Sequence, residues 1–514
     1  MSLDYFKKYN YKIRELHELK KILKKKINKK TVLCHGVFDV VHPGHLRHLA
    51  HAKTKGDILI VSLTADRFIK KGTYRPHVPE NLRALNLSAF EMVDYVVIDR
   101  HEKADYILKY IKPDFYAKGF EYFSKGLPKA TKDEIKVVES YGGKMFFSPG
   151  DYVYSSSKFL QSSLPQLNFE KLLLLLDKNN INFNDLKNTL NNFSKLKVHV
   201  IGDTIVDTYT RTSFIGGQTK TPTFSLLKQK EDNFIGGAAI VASHLKKSGV
   251  DVTFSTVLGN DALSKFVIRK LKKINVKIKP IIDGFRPTTN KNSFTTGIYK
   301  LLKVDTLDNT PISESILNKL CSNIKHTKTD IVILSDFRHG IFNLTSIPKI
   351  IKSIPKKTFK VADSQVASRW GNILQFKNFD LITPNEREAR FALADQDSPI
   401  GSLSSLLQKN AKYKNLILTL GDKGIFCSSK NKKNNYFSVD SFARSVVDAV
   451  GSGDALLAYS AIALKLSKSL VQAGIIGSIA AARACEYDGN QPIGTREVIE
   501  IINDIEKKIN YPNK

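Results

Sequence analysis

The stretch Thr31–His45, TVLCHGVFDVVHPGH, decides how the first third of the chain reads. It begins as an unbroken apolar run, turns at Gly36, and opens again at His42-Pro43-Gly44-His45 into a segment with helical spacing. A continuous apolar run, rather than an alternating one, marks a strand buried on both faces of a parallel sheet. Proline at a first helical position reinforces the helix start. DILIVSL (57–63) and DYVVID (94–99) repeat the strand pattern, so residues 31–164 read as one parallel α/β domain.

A second series begins near Val198: VHVIGD, VTFSTVLG, DIVILSDF, FKVADS, DLITPNE and LILTLG. These runs close on Gly, Asp, Ser or Asn, as strands do where a parallel sheet presents ligand loops at its carboxyl edge. Between the two series, residues 165–196 are Asn- and Lys-rich, with Phe169, Leu172, Leu173 and Leu176 at helical spacing. They read as a helical connector, residues 1–30 as a basic helical lead-in, and residues 197–514 as the second domain.

The bulk properties bound the function. A chain of 514 residues exceeds what one core supports. It has no apolar run of the ~18–20 residues that a membrane helix needs, and no secretory-type apolar stretch near its start. Four scattered cysteines without a CxxC pair argue against a zinc ribbon or disulfide framework and fit a reducing, cytoplasmic setting. The net charge of +31 would suit a nucleic-acid binder. The lysines are spread along the whole chain, however, and no nucleic-acid module is legible, so compositional drift is the preferred reading. The expected partners are small anionic substrates, with no nucleic acid and no membrane.

Two segments carry chemistry. In the first, two histidines one turn apart at a helix N-terminus supply donors to an α-phosphate and its departing pyrophosphate. Gly44 would let a nucleotide approach closely. The competing reading is a metal row of His42, His45, His48 and His51, in which the glycine, the proline and the upstream GVFD would have no role. His48 and His51 read as lining a helix face, and His35 as touching a base or packing. In the second segment, Asp448-Ala449-Val450-Gly451-Ser452-Gly453-Asp454, a glycine-flanked turn offers amides to developing phosphate charge, and Asp454 can accept a proton from a hydroxyl. GSGD alone is unspecific, since small-residue turns are common.

The first segment resembles the cytidylyltransferase-like nucleotidyltransferases, whose motif is GxFDxxHxGH. The resemblance implies a Rossmann-like nucleotidyltransferase fold, with His42, His45 and Lys70 as catalytic groups. It implies nucleotide contacts at Gly36, Phe38, Asp39, Gly44, Lys71, Arg75, Arg83, Ser155, Ser156 and Ser157. From about Val198 to Ile502 the chain resembles the ribokinase/PfkB carbohydrate kinases, whose signature is DTxGAGD. That resemblance implies a ribokinase-like α/β fold with Asp454 as general base and Gly451, Ser452 and Gly453 as anion hole. It places sugar contacts at Asp203, Asp207, Gly236 and Gly237, and ATP or magnesium-phosphate contacts at Asn385, Glu388, Thr419, Gly421, Gly424 and Asp448. Lys303 and Arg338 read either as phosphate contacts or as solvated surface charges. Ile240 stands where such kinases often carry a sugar-binding asparagine, which leaves the sugar open.

The fusion resembles the HldE-type bifunctional heptose kinase/adenylyltransferases, with the domain order inverted. It implies phosphorylation of a sugar, a heptose phosphate at O1, followed by nucleotidyl transfer from ATP or CTP to the sugar 1-phosphate. Mg2+ is expected at both sites, without a dedicated protein-only metal site, and related enzymes often form homo-oligomers. The alternatives are a polyol-phosphate cytidylyltransferase fused to a polyol kinase, and a nucleic-acid-binding protein that keeps two inactive enzyme folds.

Overall fold

Strand β1 (Thr31–Gly36) sends Val32 and Cys34 into one apolar cluster and Leu33 into another on the opposite face. Strand β2 (Ile58–Thr64) divides its side chains the same way, Leu59, Val61 and Leu63 against Ile58 and Ile60. Successive side chains on a strand point to opposite faces, so only a strand covered on both sides is apolar throughout. The computed structural model describes residues 9–26, 28–69, 76–119, 129–148, 168–216, 223–297, 299–366, 370, 372–430, 436–443 and 445–510. It divides the chain into two units, 1–167 with 397–402, and 168–396 with 403–514.

In the first unit β3 (Tyr95–Asp99), β4 (Phe115–Gly119) and β5 (Lys144–Ser148) complete a parallel five-stranded sheet of order β3-β2-β1-β4-β5. Chain order reverses between β1 and β4, and ligands of open α/β sheets bind at such a switch point, outside the carboxyl ends. The GVFDVVHPGH loop leaves the sheet there, and the helix Pro43–Lys53 follows it.

The second unit holds β6 (Lys197–Gly202), β7 (Thr204–Gly216), β8 (Ser225–Gly237), β9 (Asp251–Gly259), β10 (Lys277–Asp283), β11 (Asn290–Thr296) and β12 (Tyr299–Thr306). It continues with β13 (Ile331–Asp336), β14 (Phe359–Ser364), β15 (Leu381–Ile382), β16 (Asn415–Thr419), β17 (Ile425–Ser429) and β18 (Tyr436–Val439). Nine of these form a sheet of order β10-β9-β6-β13-β14-β15-β16-β17-β18, parallel up to β16 and antiparallel beyond it. The Ala- and Ile-rich helices Ser452–Ser467 and Leu470–Cys485 are buried along most of their length in its core.

The stretch read as a connector is built into this unit. Leu172, Leu176, Leu186, Leu190 and Phe193 from the helices Asn168–Lys178 and Phe183–Asn191 and the turn after them join the same core. Burying an aliphatic or aromatic side chain is worth about 1.5–3 kcal/mol, which fixes these helices to the unit.

The remaining four strands make a separate sheet, β12-β11-β7-β8. Its register sets Lys291 of β11 opposite Asp207 of β7 on one side and Asp305 of β12 on the other. Cross-strand partners share a face, so these three charges form one row.

Candidate active sites

The loop after β1 is held from several directions. Phe38, 6% exposed, adopts a left-handed backbone (φ 49°), an unusual state for a bulky residue and a mark of strain at functional sites. The Asp39 carboxylate accepts the Val78 amide at 2.9 Å. The Arg83 side chain is fully buried and donates to the carbonyls of Val78 and Thr64 at 2.9 Å each, to the Val37 carbonyl, and to the Asp66 carboxylate. This corrects the expectation of a nucleotide contact at Arg83. Its guanidinium is the internal clamp that fixes the GVFD loop to the end of β2.

The two histidines of HPGH cap their helix reciprocally. His42 Nδ1 accepts the Gly44 amide at 3.1 Å, and His45 Nδ1 accepts the His42 amide at 3.4 Å, with ring centroids 3.9 Å apart. An accepting Nδ1 places the ring proton on Nε2, so each ring presents an Nε2–H donor. Burial, with His42 and His48 nearby, pushes the His45 pKa down to about 3, so the imidazole stays neutral. A Cβ at Gly44 would lie 2.9 Å from His42 Cε1, so the glycine makes room for the folded-back ring itself.

The other histidines of the row are engaged within the protein. His48 Nδ1 pairs with Ser148 Oγ at 2.8 Å, and the His51 ring meets the edge of Phe146. His35 sits between Ser62 Oγ (2.9 Å) and Thr64 Oγ1 (3.4 Å), and burial lowers its pKa to about 4. Among the described residues no group of three His, Cys, Asp or Glu could hold a metal ion. Lys70, Lys71, Arg75, Ser155, Ser156 and Ser157 lie outside the described residues.

In the second unit the DAVGSGD turn opens the helix Ser452–Ser467. Gly451 takes φ 83°, and a Cβ there would lie 1.9 Å from Asn490 Oδ1, so only glycine fits. The first amides of a helix have no acceptor within it, which makes the Ser452–Asp454 stretch an anion-facing end. A Cβ on Gly453 would meet nothing within 4 Å. Asp454 is 7% exposed, and its Oδ1 has no partner among the described residues. Burial, then the charges of Asp363, Asp207 and Glu388, hold its carboxyl well above the usual range, while Lys291 opposes them.

The sequence-predicted residues gather around this carboxyl in part. Asp207 accepts from Asn490 Nδ2 at 2.7 Å and fills the space a Cβ on Gly236 would take, 2.2 Å from its Oδ2. Asp448 accepts from the Tyr209 hydroxyl at 2.5 Å and lies 3.7 Å from the Lys300 ammonium. Asn385 and Glu388 cap the helix Glu386–Leu393 reciprocally, each bond 2.8 Å. Asn385 also bridges to Thr419, which brings the NERE segment beside the TLGDKG turn. In that turn Gly421 and Gly424 both take positive φ, and a Cβ at Gly424 would lie 2.1 Å from the Val439 carbonyl. Asp363 and Glu388 are both buried and both raised, first by burial, with Asp363's charge adding to the shift of Glu388.

Two expectations change. Asp203 is 2% exposed, and its carboxylate accepts the amides of Phe337 (3.0 Å), His339 (3.3 Å) and Ile341 (3.4 Å). It holds the loop after β13 in place of a sugar. Arg338, read as a phosphate contact or a surface charge, is neither. It is buried, with φ 58°, and pairs with Asp336 at 2.9 Å and Gln375 at 2.7 Å.

Sequence reading missed Tyr209, Asn490 and Lys291. Each lies in a polar stretch without a motif, and the site receives them only through the four-stranded sheet or the turn before the helix Thr495–Asn510.

Comparison with known proteins follows the two units. Residues 195–496 match the pfkB family of carbohydrate kinases, and residues 33–161 match the cytidylyltransferase-like family. The bifunctional protein HldE of Helicobacter acinonychis is 28% identical over 319 residues, 61% of this chain and 68% of its own length. The HldE protein of Campylobacter concisus is 37% identical over 141 residues, 26% of this chain and 29% of its own length. Phosphofructokinase-2 from Escherichia coli, solved in complex with fructose-6-phosphate, superposes with a TM-score of 0.51 at 16% identity, covering 60% of this chain and 99% of its own. At that identity the likeness is one of fold.

Proposed function

Because the chain belongs to the pfkB family of carbohydrate kinases and carries a cytidylyltransferase-like domain ahead of it, we propose that it makes a nucleotide-activated sugar in two steps. The second unit phosphorylates the anomeric hydroxyl of a sugar with ATP. The first unit joins a sugar 1-phosphate to a nucleotide from ATP or CTP, releasing pyrophosphate. The similarity to HldE proteins supports a heptose phosphate as the kinase acceptor.

The observation that carries the reading is Asp454: a buried, unpartnered carboxyl in the first turn of a helix whose amides face outward. Within reach of a sugar hydroxyl, it accepts the proton as the hydroxyl oxygen attacks the γ-phosphorus. The amides of Gly451, Ser452 and Gly453 meet the charge that grows on the transferred group. Asp207, fixed by Asn490, orients the sugar hydroxyls. Asp363 and Glu388, buried and raised, are a donor pair that a water-carrying magnesium ion would suit. Magnesium bound with ATP bridges phosphate oxygens and neutralises their charge.

In the first unit, the Nε2–H groups of His42 and His45 donate to the α-phosphate and the leaving pyrophosphate. Capping of both Nδ1 atoms sets that tautomer. Assaying each half reaction in Asp454→Asn and in a His42/His45 double variant tests the division of labour. The kinase should be lost in the first and the transferase in the second. One substitution abolishing both reactions in folded protein would refute the assignment.

A further inference from the structure

The loop after β13 and the four-stranded sheet bring three basic side chains together. His339 is 4% exposed, and neither ring nitrogen has a hydrogen-bond partner among the described residues. Its backbone is pinned, the amide to Asp203 Oδ2 at 3.3 Å and the carbonyl to Arg286 at 3.3 Å, so the ring has little freedom to seek a partner. A buried polar group without a partner costs free energy, which a bound group of complementary charge removes.

Lys291 and Lys303 stand on adjacent strands, Lys303 opposite Ser293 two residues from Lys291, so both face the same way. Their charges are close enough to His339 to depress its basicity, after burial, which is the larger cause. Lys291 is half-buried and forms no hydrogen bond or close ion pair with a described residue. Its carboxylate neighbours Asp207 and Asp305 balance it only across the strands. Two ammonium groups and an open imidazole therefore converge with no anion seated between them. Lys291 also feels Asp454, which puts this basic patch within the reaction cleft.

We propose that His339, Lys291 and Lys303 form an anion subsite that holds a phosphate already present on the sugar, so that the kinase selects a sugar phosphate over the free sugar. The inference rests on the kinase reading of this unit. The held phosphate is a spectator, and no bond to it forms or breaks.

The test uses the full chain with magnesium-ATP and two acceptors, heptose 7-phosphate and unphosphorylated heptose, in Lys291→Met, Lys303→Met and His339→Gln. Each variant should raise KM for the phosphorylated sugar by about tenfold to a hundredfold, the worth of one charged hydrogen bond, with KM for ATP and kcat little changed. Lys291→Arg should recover part of the loss. Equal KM changes for both sugars, a rise in KM for ATP instead, or no change would overturn the subsite while leaving the kinase intact. Should the wild type phosphorylate neither sugar, the acceptor reading fails, and inorganic phosphate titrated calorimetrically into wild type and the Lys291→Met/His339→Gln protein decides the subsite. Weaker phosphate binding by the variant supports it, and identical isotherms refute it.

Discussion

The hydroxyl of Tyr209 donates to Asp448 at 2.5 Å, which ties β7 of the four-stranded sheet to the first residue of the DAVGSGD turn. Lys300 of β12 reaches the other oxygen of the same carboxylate at 3.7 Å. The sheet that carries Asp207 and Lys291 thus also steadies the turn that carries the anion-hole amides.

Tyr209→Phe keeps the ring and removes this link. A hydrogen bond to a charged group is worth about 1.5–3 kcal/mol, so kinase kcat/KM should fall by roughly 10–100-fold. Nucleotidyl transfer, measured on the same sample, should be unaffected. An unchanged kinase would show that the sheet does not steady the turn.

Asp454→Asn should lower kinase kcat by about 10²–10⁴, the usual worth of a positioned general base. The same change should stabilise the second unit. The folded carboxyl titrates above its unfolded value, so the folded state holds the extra proton, and stability present at low pH is lost as pH rises towards the folded pKa. Asparagine carries no such loss, so the Tm gain of the variant should be larger at pH 8 than at pH 5. A variant less stable than wild type at pH 8 would contradict the burial of an uncompensated charge.

His42→Ala and His42→Asn separate capping from chemistry. Alanine removes the cap and should cost about 1 kcal/mol of stability, whereas asparagine is itself a strong N-cap and should restore most of it. Neither supplies the Nε2–H donor, so both should lose transferase activity by about 100-fold or more. Activity returning with asparagine would show that His42 acts only as a cap.

Arg83→Met tests the reassigned arginine. Removing a buried guanidinium leaves the carbonyls of Val37, Thr64 and Val78 and the Asp66 carboxylate unsatisfied, at a cost of about 3–5 kcal/mol. Urea unfolding should show the first unit melting early with the kinase still active. A stable first unit with only a raised KM for nucleotide would restore the role of a nucleotide contact.

The strands that the sequence revealed are those buried on both faces, β1, β2, β3, β6, β9, β13, β14 and β16, where every residue is apolar and the pattern is local. The four-stranded sheet was invisible for the converse reason. β11 (NKNSFTT) and β12 (YKLLKVDT) are polar and largely accessible, and β7 finds its parallel partner more than eighty residues away. Both chemical turns were legible because glycine and histidine at fixed spacing leave few alternatives. Their supports were not: Asn490 reaches Asp207 from 283 residues away, and nothing around it signals the contact. Arg83 and Asp203 show the opposite failure. A charged residue beside a motif reads as a ligand contact, yet burial turned each into an internal brace for a loop.

The central claim is that one chain makes a sugar 1-phosphate and activates it. The most direct measurement incubates the full chain with magnesium and heptose 1-phosphate, with ATP and CTP in separate reactions, and reads the products by mass. A nucleoside diphosphate-heptose formed with equimolar pyrophosphate is the predicted result, and its mass names the nucleotide. Folded protein that yields no such product with either nucleotide would contradict the account.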